Sequence, residues 1–470
     1  MKTALASSLV RRRLVAVPTL AAGLLAGGVV GCSSLLDVKN PNNVNESDLS
    51  NPASAETQAN GVLASVSRAW GVVLTPYSVV TDELTWIGSR DAWQNLDLGR
   101  VSEPTNEFVD AAFPYVGEAR WWSNATIKRL EGFAAASVLS DTSNLSRAHL
   151  YAAIAYTIVG DMFNNFPIGS DKGTAAPPVG PANMAEVYDT AITYATRGIA
   201  LAQATGDKTN ERLLRAMRAR ARYSKALWAK FPHPTVAGPP PANAFVNDAG
   251  ALADANAALA LAATDWKYRF NYSANTVTTD IGFEVNQRLE MRVGSVYCGA
   301  SGCAPTVGGN RVVTVDSIKL KDPIDNVADP DLKKTLGDFL SNTNHGSLTV
   351  VSARELYLIA AEAALAAGDT LVNTGQFVVN INAIRAFSGL TPYDVTNAAH
   401  PRPAAMLRYA RQANLFLQGR RLLDHYRFNV PADLWQAGSE ALTKPGTLFP
   451  ITITELLANP FCVANPSSCQ

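Results

Sequence analysis

The sequence predicts a mostly α-helical fold in which tetratricopeptide-like helical hairpins form a scaffold, interrupted by one long irregular insertion with minor β-strands. Apolar residues recur at helical spacing through most of the 470-residue chain. Two small-residue segments end in the same Gly-Asp step, which suggests stacked helix pairs. Between about residues 265 and 351 the helical pattern stops, and short alternating runs replace it.

Nine segments have the helical spacing of apolar side chains. The clearest places Leu356 and Ala360 on one stripe, and Gly368 follows as a left-handed terminator. Asn183 and Glu186 have the spacing of a capping box, which predicts a helix start. The predicted helices span residues 54–74, 107–138, 146–163, 184–205, 209–231, 248–263, 352–367, 371–388 and 403–424.

The hairpin interpretation rests on a weak internal similarity. Residues 152–161 and 360–369 are both small-residue segments that end in Gly-Asp. Small side chains let paired helices approach closely, as in stacked tetratricopeptide hairpins. The match has no regular period, so ordinary Ala-rich helices stay an open alternative.

Four of the five cysteines fall into two close pairs, Cys298 with Cys303 and Cys462 with Cys469. Such pairs predict two short disulfide loops in an oxidising compartment, with free thiols as the alternative. A zinc site is disfavoured, because neither pair has C-x-x-C spacing and no histidine cluster accompanies them. The first pair lies in the long insertion, and an insertion of this length in a helical scaffold is expected to serve a function.

Residues 1–31 have the three parts of an export signal: a cationic start, an apolar run over residues 14–30 and a small-residue exit at Gly31. A retained transmembrane helix is the alternative, which Pro18 and three glycines disfavour. Val-Val-Gly-Cys at residues 29–32 resembles a bacterial lipobox, so Cys32 is predicted to carry a lipid anchor. Residues 32–53 are then an N-terminal tether, followed by a single helical domain at 54–470.

The mature chain is mildly acidic. The whole sequence has 40 Lys and Arg against 40 Asp and Glu, and the signal removes four of the basic residues. No basic block and no basic-aromatic cluster occurs, which disfavours nucleic acid as a partner. A hydrophobic share of 47% supports a sizeable packed core.

Catalytic motifs are missing from the sequence. There is no H-E-x-x-H, G-x-S-x-G, Walker loop or G-x-G-x-x-G. The five histidines are scattered singly, and the adjacent acids Asp82 and Glu83 do not show the facing carboxyls that glycosidic chemistry needs. We therefore predict no catalytic residue, no cofactor and no metal site, with an anchored all-helical glycoside hydrolase as a minor alternative.

Several tryptophans cluster near polar side chains. Flat aromatic faces flanked by carboxylates and amides suit sugars, since ring C–H groups pack on the aromatic while hydroxyls bind the polar atoms. About half of these tryptophans are expected to pack in the core, and adjacent Trp121 and Trp122 point about 100° apart on a helix. Tyr297 is added because the neighbouring disulfide would hold it at the surface. The ligand-binding candidates are Trp86, Asp91, Trp93, Asn95, Trp121, Trp122 and Tyr297.

A series of short segments runs in order from Cys32 to Arg427. Leu-Asp-Val and Asn-Pro follow the anchor within residues 36–41, and Gly-Asp-Met-Phe at 160–163 precedes Phe-Pro-Ile at 166–168. The most specific segments are Ala-Arg-Glu-Leu-Tyr-Leu-Ile-Ala-Ala-Glu-Ala at 353–363, Ile-Asn-Ala-Ile-Arg at 381–385 and Leu-Phe-Leu-Gln-Gly-Arg-Arg at 415–421. In order and spacing, the chain resembles the SusD/RagB-type nutrient-uptake outer-membrane lipoproteins. It departs from them at Ala410, Asn414 and Gln418, where members usually carry glutamates, so we expect a divergent member with altered local packing.

The resemblance implies a non-catalytic protein whose tetratricopeptide-like helix pairs support an irregular ligand-binding face. It implies a lipid-anchored, outward-facing position at the outer membrane. There the protein would act as a lid over a TonB-dependent, SusC-like transporter barrel and pass oligosaccharides, or in some members peptides, into it. A structural scaffold lipoprotein of the envelope is the alternative, and the long aromatic-bearing insertion argues against it.

Overall fold

The computed structural model describes residues 46–171, 173–231, 239–299, 303, 306–307, 310–311, 317–341 and 345–469. The predicted signal peptide, Cys32 and most of the predicted tether lie outside these residues. The chain divides into two units, Met1–Leu49 and Ser50–Gln470. Helix α1 (Glu46–Leu49) is the described part of the first unit, and all other elements belong to the second.

Helices make up most of the described residues, which confirms the predicted mostly α-helical fold. The helices after α1 are α2 (Ala55–Val80), α3 (Asp91–Asp97), α4 (Glu107–Ala135), α5 (Ser143–Met162), α6 (Ala185–Thr205), α7 (Lys208–Trp228), α8 (Ala249–Leu261), α9 (Asp280–Gly282), α10 (Ser295–Cys298), α11 (Pro330–Ser341), α12 (Ala353–Ala366), α13 (Gln376–Phe387), α14 (Pro403–Asn414), α15 (Arg421–Phe428), α16 (Glu440–Thr443), α17 (Ile453–Ala458) and α18 (Pro460–Ala464). The strands are β1 (Leu84–Trp86), β2 (Lys267–Phe270), β3 (Met291–Val293), β4 (Thr306–Val307), β5 (Asn310–Arg311) and β6 (Leu348–Ser352).

Consecutive long helices pack against each other. Helix α4 packs on α2 and α5, after which α5 meets α6, α6 meets α7 and α7 meets α8. Helix α8 then packs on α12, which contacts α13 and α14. The largest hydrophobic core runs through this stack, and a smaller one joins α12, α13 and α14.

Local signals explain several helix ends. The Asn106 side chain accepts hydrogen bonds from backbone N–H groups at the start of α4, and Ser352 caps α12 in the same way. Gly206 ends α6 with φ of 72°, and Gly368 follows α12 with φ of 82°, both in the left-handed region that glycine adopts without strain. The predicted terminator at Gly368 is confirmed.

Two predicted helix boundaries were wrong. Asn183 does not cap α6, because its side-chain amide donates to the Val179 carbonyl at 3.0 Å and the helix begins at Ala185. The predicted helix at 403–424 is two helices, α14 and α15. The chain between them contains Leu417 and Gly419 in left-handed conformations, with φ of 53° and 69°, which no continuous helix allows.

Three small antiparallel sheets lie within or beside the predicted insertion. Strand β1 pairs with β3, β2 pairs with β6 and β4 pairs with β5. In the first sheet Leu84 lies opposite Val293, and in the second Phe270 lies opposite Leu348. The first two pairings tie the insertion to β1, in the segment between α2 and α3, and to the strand directly before α12.

Both cysteine pairs are joined by disulfides, Cys298 to Cys303 and Cys462 to Cys469. All four cysteines are buried. Of the helices in the described ranges, none has the length and apolar character that crossing a membrane requires.

Candidate functional site

A cleft of about 350 Å³ lies between α4, the loop at residues 166–171 and α17. We call it the Trp121 cleft. A pocket of this size falls within the range of small-molecule sites, roughly 300–1,000 Å³. Its apolar lining residues are Phe113, Pro114, Gly117, Trp121, Phe166, Pro167 and Ala458, and its polar ones are Glu118, Arg120, Ser170, Asp171, Thr454 and Glu455.

Stacked aromatic rings form the base of the cleft. The Phe113 and Phe166 rings lie 4.6 Å apart at an interplanar angle of 27°, and Phe163 meets both edge-on at 5.4 Å. All three side chains are buried. Such packing gives the cleft a rigid apolar base.

Arg120 holds the loop that forms one wall. Its Nη1 donates to the Ile168 carbonyl at 2.8 Å, and its Nη2 donates to the Ser170 carbonyl. Its Nε is buried and has no hydrogen-bond partner among the described residues. The guanidinium therefore holds this wall in place through its two bonds to backbone carbonyls.

Trp121 is half-buried and lines the cleft, and its indole N–H donates to Asp171 on the opposite loop. Trp122 meets the Trp121 ring at 4.9 Å and 70° but packs against the main hydrophobic core. Of the two adjacent tryptophans, only Trp121 lines the cleft.

The third wall is α17, which comes from the C-terminal end of the chain. The Thr454 backbone N–H and hydroxyl both donate to the Asp110 carboxylate of α4, at 3.1 and 2.8 Å. The buried Asn459 side chain donates to the Ala176 carbonyl and to Glu455 Oε1, each at 2.9 Å. The Cys462–Cys469 disulfide follows directly in α18. These contacts hold α17 in place across the cleft from α4.

Two glutamates line the cleft from different helices. Glu118 on α4 is exposed and Glu455 on α17 is half-buried. Among the described residues, no Lys, Arg or His nitrogen lies within 4 Å of either carboxylate. Together with Asp171, they make the cleft negatively charged.

Gly117 leaves the cleft open. A Cβ placed there would meet only the Phe166 ring, at 4.0 Å, so a longer side chain would project into the cleft without displacing the helix. Gly132, further along α4, has no neighbour within 4 Å of such a Cβ and is exposed. Substitution by a larger residue would therefore change the cleft at Gly117 but not at Gly132.

A second pocket of about 500 Å³ lies around the start of α3. Glu107 pairs with Arg90 across it at 2.6 Å, and Asn95 donates to Glu103 at 3.3 Å. Asp91 and Asn95 line this pocket, but no aromatic side chain does. It therefore lacks the flat apolar surface that a sugar ring packs on.

Known structures share this arrangement of helices. No family model and no curated protein matches the sequence. A SusD homolog from Bacteroides thetaiotaomicron is 13% identical, with 88% of this chain and 97% of that chain covered and a TM-score of 0.58. Surface glycan-binding protein A from Bacteroides uniformis is 12% identical, with 87% and 98% covered and a TM-score of 0.58. The same-named protein from Bacteroides thetaiotaomicron, in complex with laminarihexaose, is 11% identical, with 87% and 98% covered and a TM-score of 0.53.

This chain has the SusD-like fold. The fold that the sequence resemblance implied is confirmed, and the low identity agrees with a divergent chain. At this identity the likeness establishes the fold alone, so the site has to be judged from this chain's own residues.

Many of the residues that carry the sequence resemblance lie in the interior of the SusD-like fold. Asp161 binds Arg220 at 2.7 Å, and Glu355 binds Arg420 at 2.7 Å. All four side chains are buried. Phe166 and Pro167, from another matching segment, line the cleft instead.

The departures from the family pattern are accommodated by local hydrogen bonds. Asn414 accepts from Arg354 Nη1 at 2.7 Å and donates to the Ala410 carbonyl at 2.8 Å. Gln418 donates to the Asn414 carbonyl at 2.9 Å. The amide side chains of Asn414 and Gln418 therefore make hydrogen bonds at these positions without adding buried charge.

The seven predicted ligand-binding residues do not form one site in this SusD-like fold. Trp93 is only 2% exposed and stacks on Phe108 at 3.4 Å, so it belongs to the core. Trp86 is half-buried in β1, where its backbone N–H donates to Asp97 at 2.9 Å. Burial raises the pKa of Asp97 to about 7. Trp121 lines the cleft between α4 and α17, while Asp91 and Asn95 line the second pocket.

The surface placement of Tyr297 was wrong. Its side chain has no exposed area and packs on Phe416 at 4.8 Å. Both cysteines of the neighbouring disulfide, Cys298 and Cys303, are buried as well. Tyr297 is therefore a core residue.

Sequence reasoning missed the residues that complete the cleft. Glu455, Phe113 and Arg120 carry no local signal of function, and Glu455 is more than 300 positions from Trp121. Within the described ranges, no group of three or more His, Cys, Asp or Glu side chains could hold a metal ion.

Proposed function

We propose that this protein is a non-catalytic, lipid-anchored saccharide-binding protein of the outer-membrane surface. It captures oligosaccharides in the Trp121 cleft for uptake through a TonB-dependent, SusC-like transporter. The observation that carries the proposal is the cleft itself, in which an apolar aromatic base meets a polar rim. Two neighbours in the SusD-like fold are surface glycan-binding proteins, one of them in complex with laminarihexaose, and this supports the ligand class.

The chemistry of the cleft suits a sugar ring. The C–H face of a pyranose packs on aromatic and proline surfaces, here Trp121, Pro114 and Pro167. Its hydroxyls donate to carboxylates, and Glu118 and Glu455 supply these on two walls. The bond between Trp121 and Asp171 fixes the indole before a ligand arrives, which lowers the entropy cost of binding.

Binding without cleavage follows from the environment of the carboxylates. A glycosidic general acid needs a carboxyl that is shielded from water, so that it holds its proton at neutral pH. Glu118 is exposed to solvent. Incubation of the purified protein with each bound oligosaccharide should leave its length unchanged by mass spectrometry, and shortened products would assign a hydrolase.

Calorimetric titration with a panel of oligosaccharides, laminarihexaose included, tests the site. Gly117→Leu fills the cleft and should weaken binding by at least about tenfold, which is about 1.4 kcal/mol of binding free energy. Gly132→Leu makes the same change on the exposed side of α4 and should bind as the unmodified protein does. Equal loss in both variants, or binding that Gly117→Leu leaves intact, would reject this cleft.

The anchor and the partner are tested in cells. Cys32→Ala should release the protein from the membrane fraction, because a thiol is needed for lipidation and the lipid supplies the membrane affinity. Affinity purification of the full chain from its own membranes should recover a TonB-dependent transporter. A Cys32→Ala protein that stays in the membrane pellet would contradict the proposed anchor.

A further inference from the structure

We infer that the Trp121 cleft selects saccharides that carry a protonated amine, namely amino sugars without an N-acyl group, over neutral and acidic saccharides. The inference rests on the proposed function and names its ligand class. It comes from one combination of features: an aromatic side chain lines the same cleft as two carboxylates that have no cationic partner among the described residues.

The two carboxylates are Glu118 on α4 and Glu455 on α17. Glu455 Oε1 accepts from Asn459 at 2.9 Å, which fixes the side chain and leaves its charge without a counter-ion. The third lining acid, Asp171, accepts from the Trp121 indole N–H. Glu118 and Glu455 therefore line two walls of the cleft with no cation paired to their carboxylates among the described residues.

Among the described residues that line the cleft, acids outnumber cations: Glu118, Asp171 and Glu455 are the acids, and Arg120 is the cation. Both Nη atoms of Arg120 donate to backbone carbonyls, and its side chain is buried. Its charge therefore offers a ligand little direct contact. An acidic saccharide would meet a net negative charge on the described lining, which disfavours uronates and sulfated sugars.

The aromatic side chain adds to the preference for a cation. An ammonium near the face of a tryptophan is attracted by the negative face of the ring quadrupole. Asp171 holds the Trp121 indole in place, and Trp121 lines the same cleft as the two glutamates. One ammonium group in the cleft would therefore contact the aromatic ring and a carboxylate together. A neutral sugar hydroxyl also bonds to a carboxylate but gains no charge–charge attraction.

A matched pair of ligands tests the inference: the β-1,4-linked hexamers of glucosamine and of N-acetylglucosamine, which differ only in the amine. At about pH 6, below the usual pKa of an amine, the glucosamine hexamer is cationic. We expect it to bind at least about tenfold more tightly than its acetylated partner, and an oligogalacturonate to bind least. The preference should shrink as salt is raised, because salt screens the charges.

The double variant Glu118→Gln with Glu455→Gln isolates the two charges. Glutamine keeps the shape and still accepts from Asn459, so the cleft stays formed while the preference for the amine should disappear. Glu131→Gln removes an exposed charge elsewhere on α4 and should keep the full preference.

Three outcomes would overturn the inference in different ways. Equal cleft-dependent affinity for both hexamers would remove the amine preference and leave the proposed saccharide binding standing. Glucosamine binding that survives Gly117→Leu would be attraction to the acidic surface in general. A hexalysine peptide that binds as tightly and is lost in Gly117→Leu would make the ligand a basic peptide, which overturns the saccharide function as well.

Discussion

Arg427 and Glu362 form a two-point ion pair in the interior, with Arg427 Nη2 3.1 Å from Glu362 Oε2 and no exposed area on either side chain. The Tyr223 hydroxyl and the Val246 backbone N–H each donate to the same carboxylate at 2.8 Å. Glu362 thus joins α12 to α7, to α15 and to the chain before α8. Every one of these bonds depends on one carboxylate.

Removal of that carboxylate should be costly. Glu362→Ala removes one of the two carboxylates that pair with Arg427 and leaves Tyr223 and Val246 without their acceptor, whereas Asp424 still pairs with Arg427 at 2.8 Å. Breaking a buried pair costs about 3–5 kcal/mol of the free energy of unfolding, and the remaining Asp424 pair places the expected loss at the lower end of that range. Glu131→Ala, at a half-exposed position, should change it by no more than about 0.5 kcal/mol. Urea unfolding followed by circular dichroism measures both. A loss below about 1 kcal/mol for Glu362→Ala would show that the pair is dispensable.

His149 should make the protein sensitive to acid. Its side chain is 1% exposed, and burial lowers its pKa to about 4 from 6.5. Glu131, at 3.9 Å and half-exposed, is too distant and too solvated to offset the burial. The unfolded chain therefore takes up a proton between pH 6.5 and about 4 while the folded chain does not, so stability falls as pH falls through this window.

The size of the acid effect follows from the shift in pKa. About 3 kcal/mol of the free energy of unfolding should be lost between about pH 7 and pH 4 through this one group. The His149→Gln variant has no titratable group at this position. Its free energy of unfolding should therefore fall less over the same pH range. Urea unfolding at three pH values across the window gives the two slopes, and parallel slopes would refute the assignment.

Glu83 should make the protein less stable as pH rises. Burial raises its pKa to about 8 from 4.5, although its Oε1 accepts from the Leu417 backbone N–H at 2.7 Å. Between these two pH values the unfolded chain has released the proton and the folded chain still holds it. Stability from this group is complete below pH 4.5 and is lost as pH rises to about 8.

The test is Glu83→Gln, which keeps an acceptor for Leu417 and stays neutral at every pH. This variant should lose less stability than the unmodified protein as pH rises from about 5 to 8. Asp97, whose pKa is also raised, contributes a slope of the same sign that both proteins share, so the difference reports on Glu83. Identical pH dependence in the two proteins would contradict the buried neutral state.

Trp93 and Trp121 should separate stability from binding. Trp93→Ala removes a ring stacked in the core and should cost about 3–5 kcal/mol of the free energy of unfolding, with saccharide affinity kept in the folded protein. Trp121→Ala should weaken binding by about tenfold or more, with a smaller effect on stability. Calorimetry and urea unfolding on both variants check this pair. If Trp93→Ala abolished saccharide binding in the folded protein while Trp121→Ala kept it, the binding site would lie near Trp93 instead.

Periodicity predicted the long helices because each buries a continuous apolar stripe. Helix α6 was expected at 184–205 and lies at Ala185–Thr205, and Gly368 follows α12 as predicted. The break between α14 and α15 was missed because Leu417 is not a residue whose type signals a left-handed conformation. Its backbone N–H is satisfied by Glu83, 334 positions away, and no local pattern shows that bond.

The site was harder to predict than the fold for the same reason. Trp121 was among the candidates because its residue type suits sugars, but so was Trp93, and only tertiary packing distinguishes them. Tyr297 was placed at the surface because a disulfide loop was assumed to be exposed, whereas Tyr297 and both cysteines are buried. Glu455 became a site residue through the contact between α17 and α4, which depends on the folded chain.

Helix α17 has a consequence for the protein's sensitivity to proteolysis. The wall it forms comes from residues 453–458, more than 300 positions after α4. The cleft therefore depends on a contact between distant parts of the chain, of the kind that slows folding. A chain clipped before Ile453 would keep Trp121 but lose this wall, so a single proteolytic cut far from the aromatic base should abolish the proposed capture of a ligand.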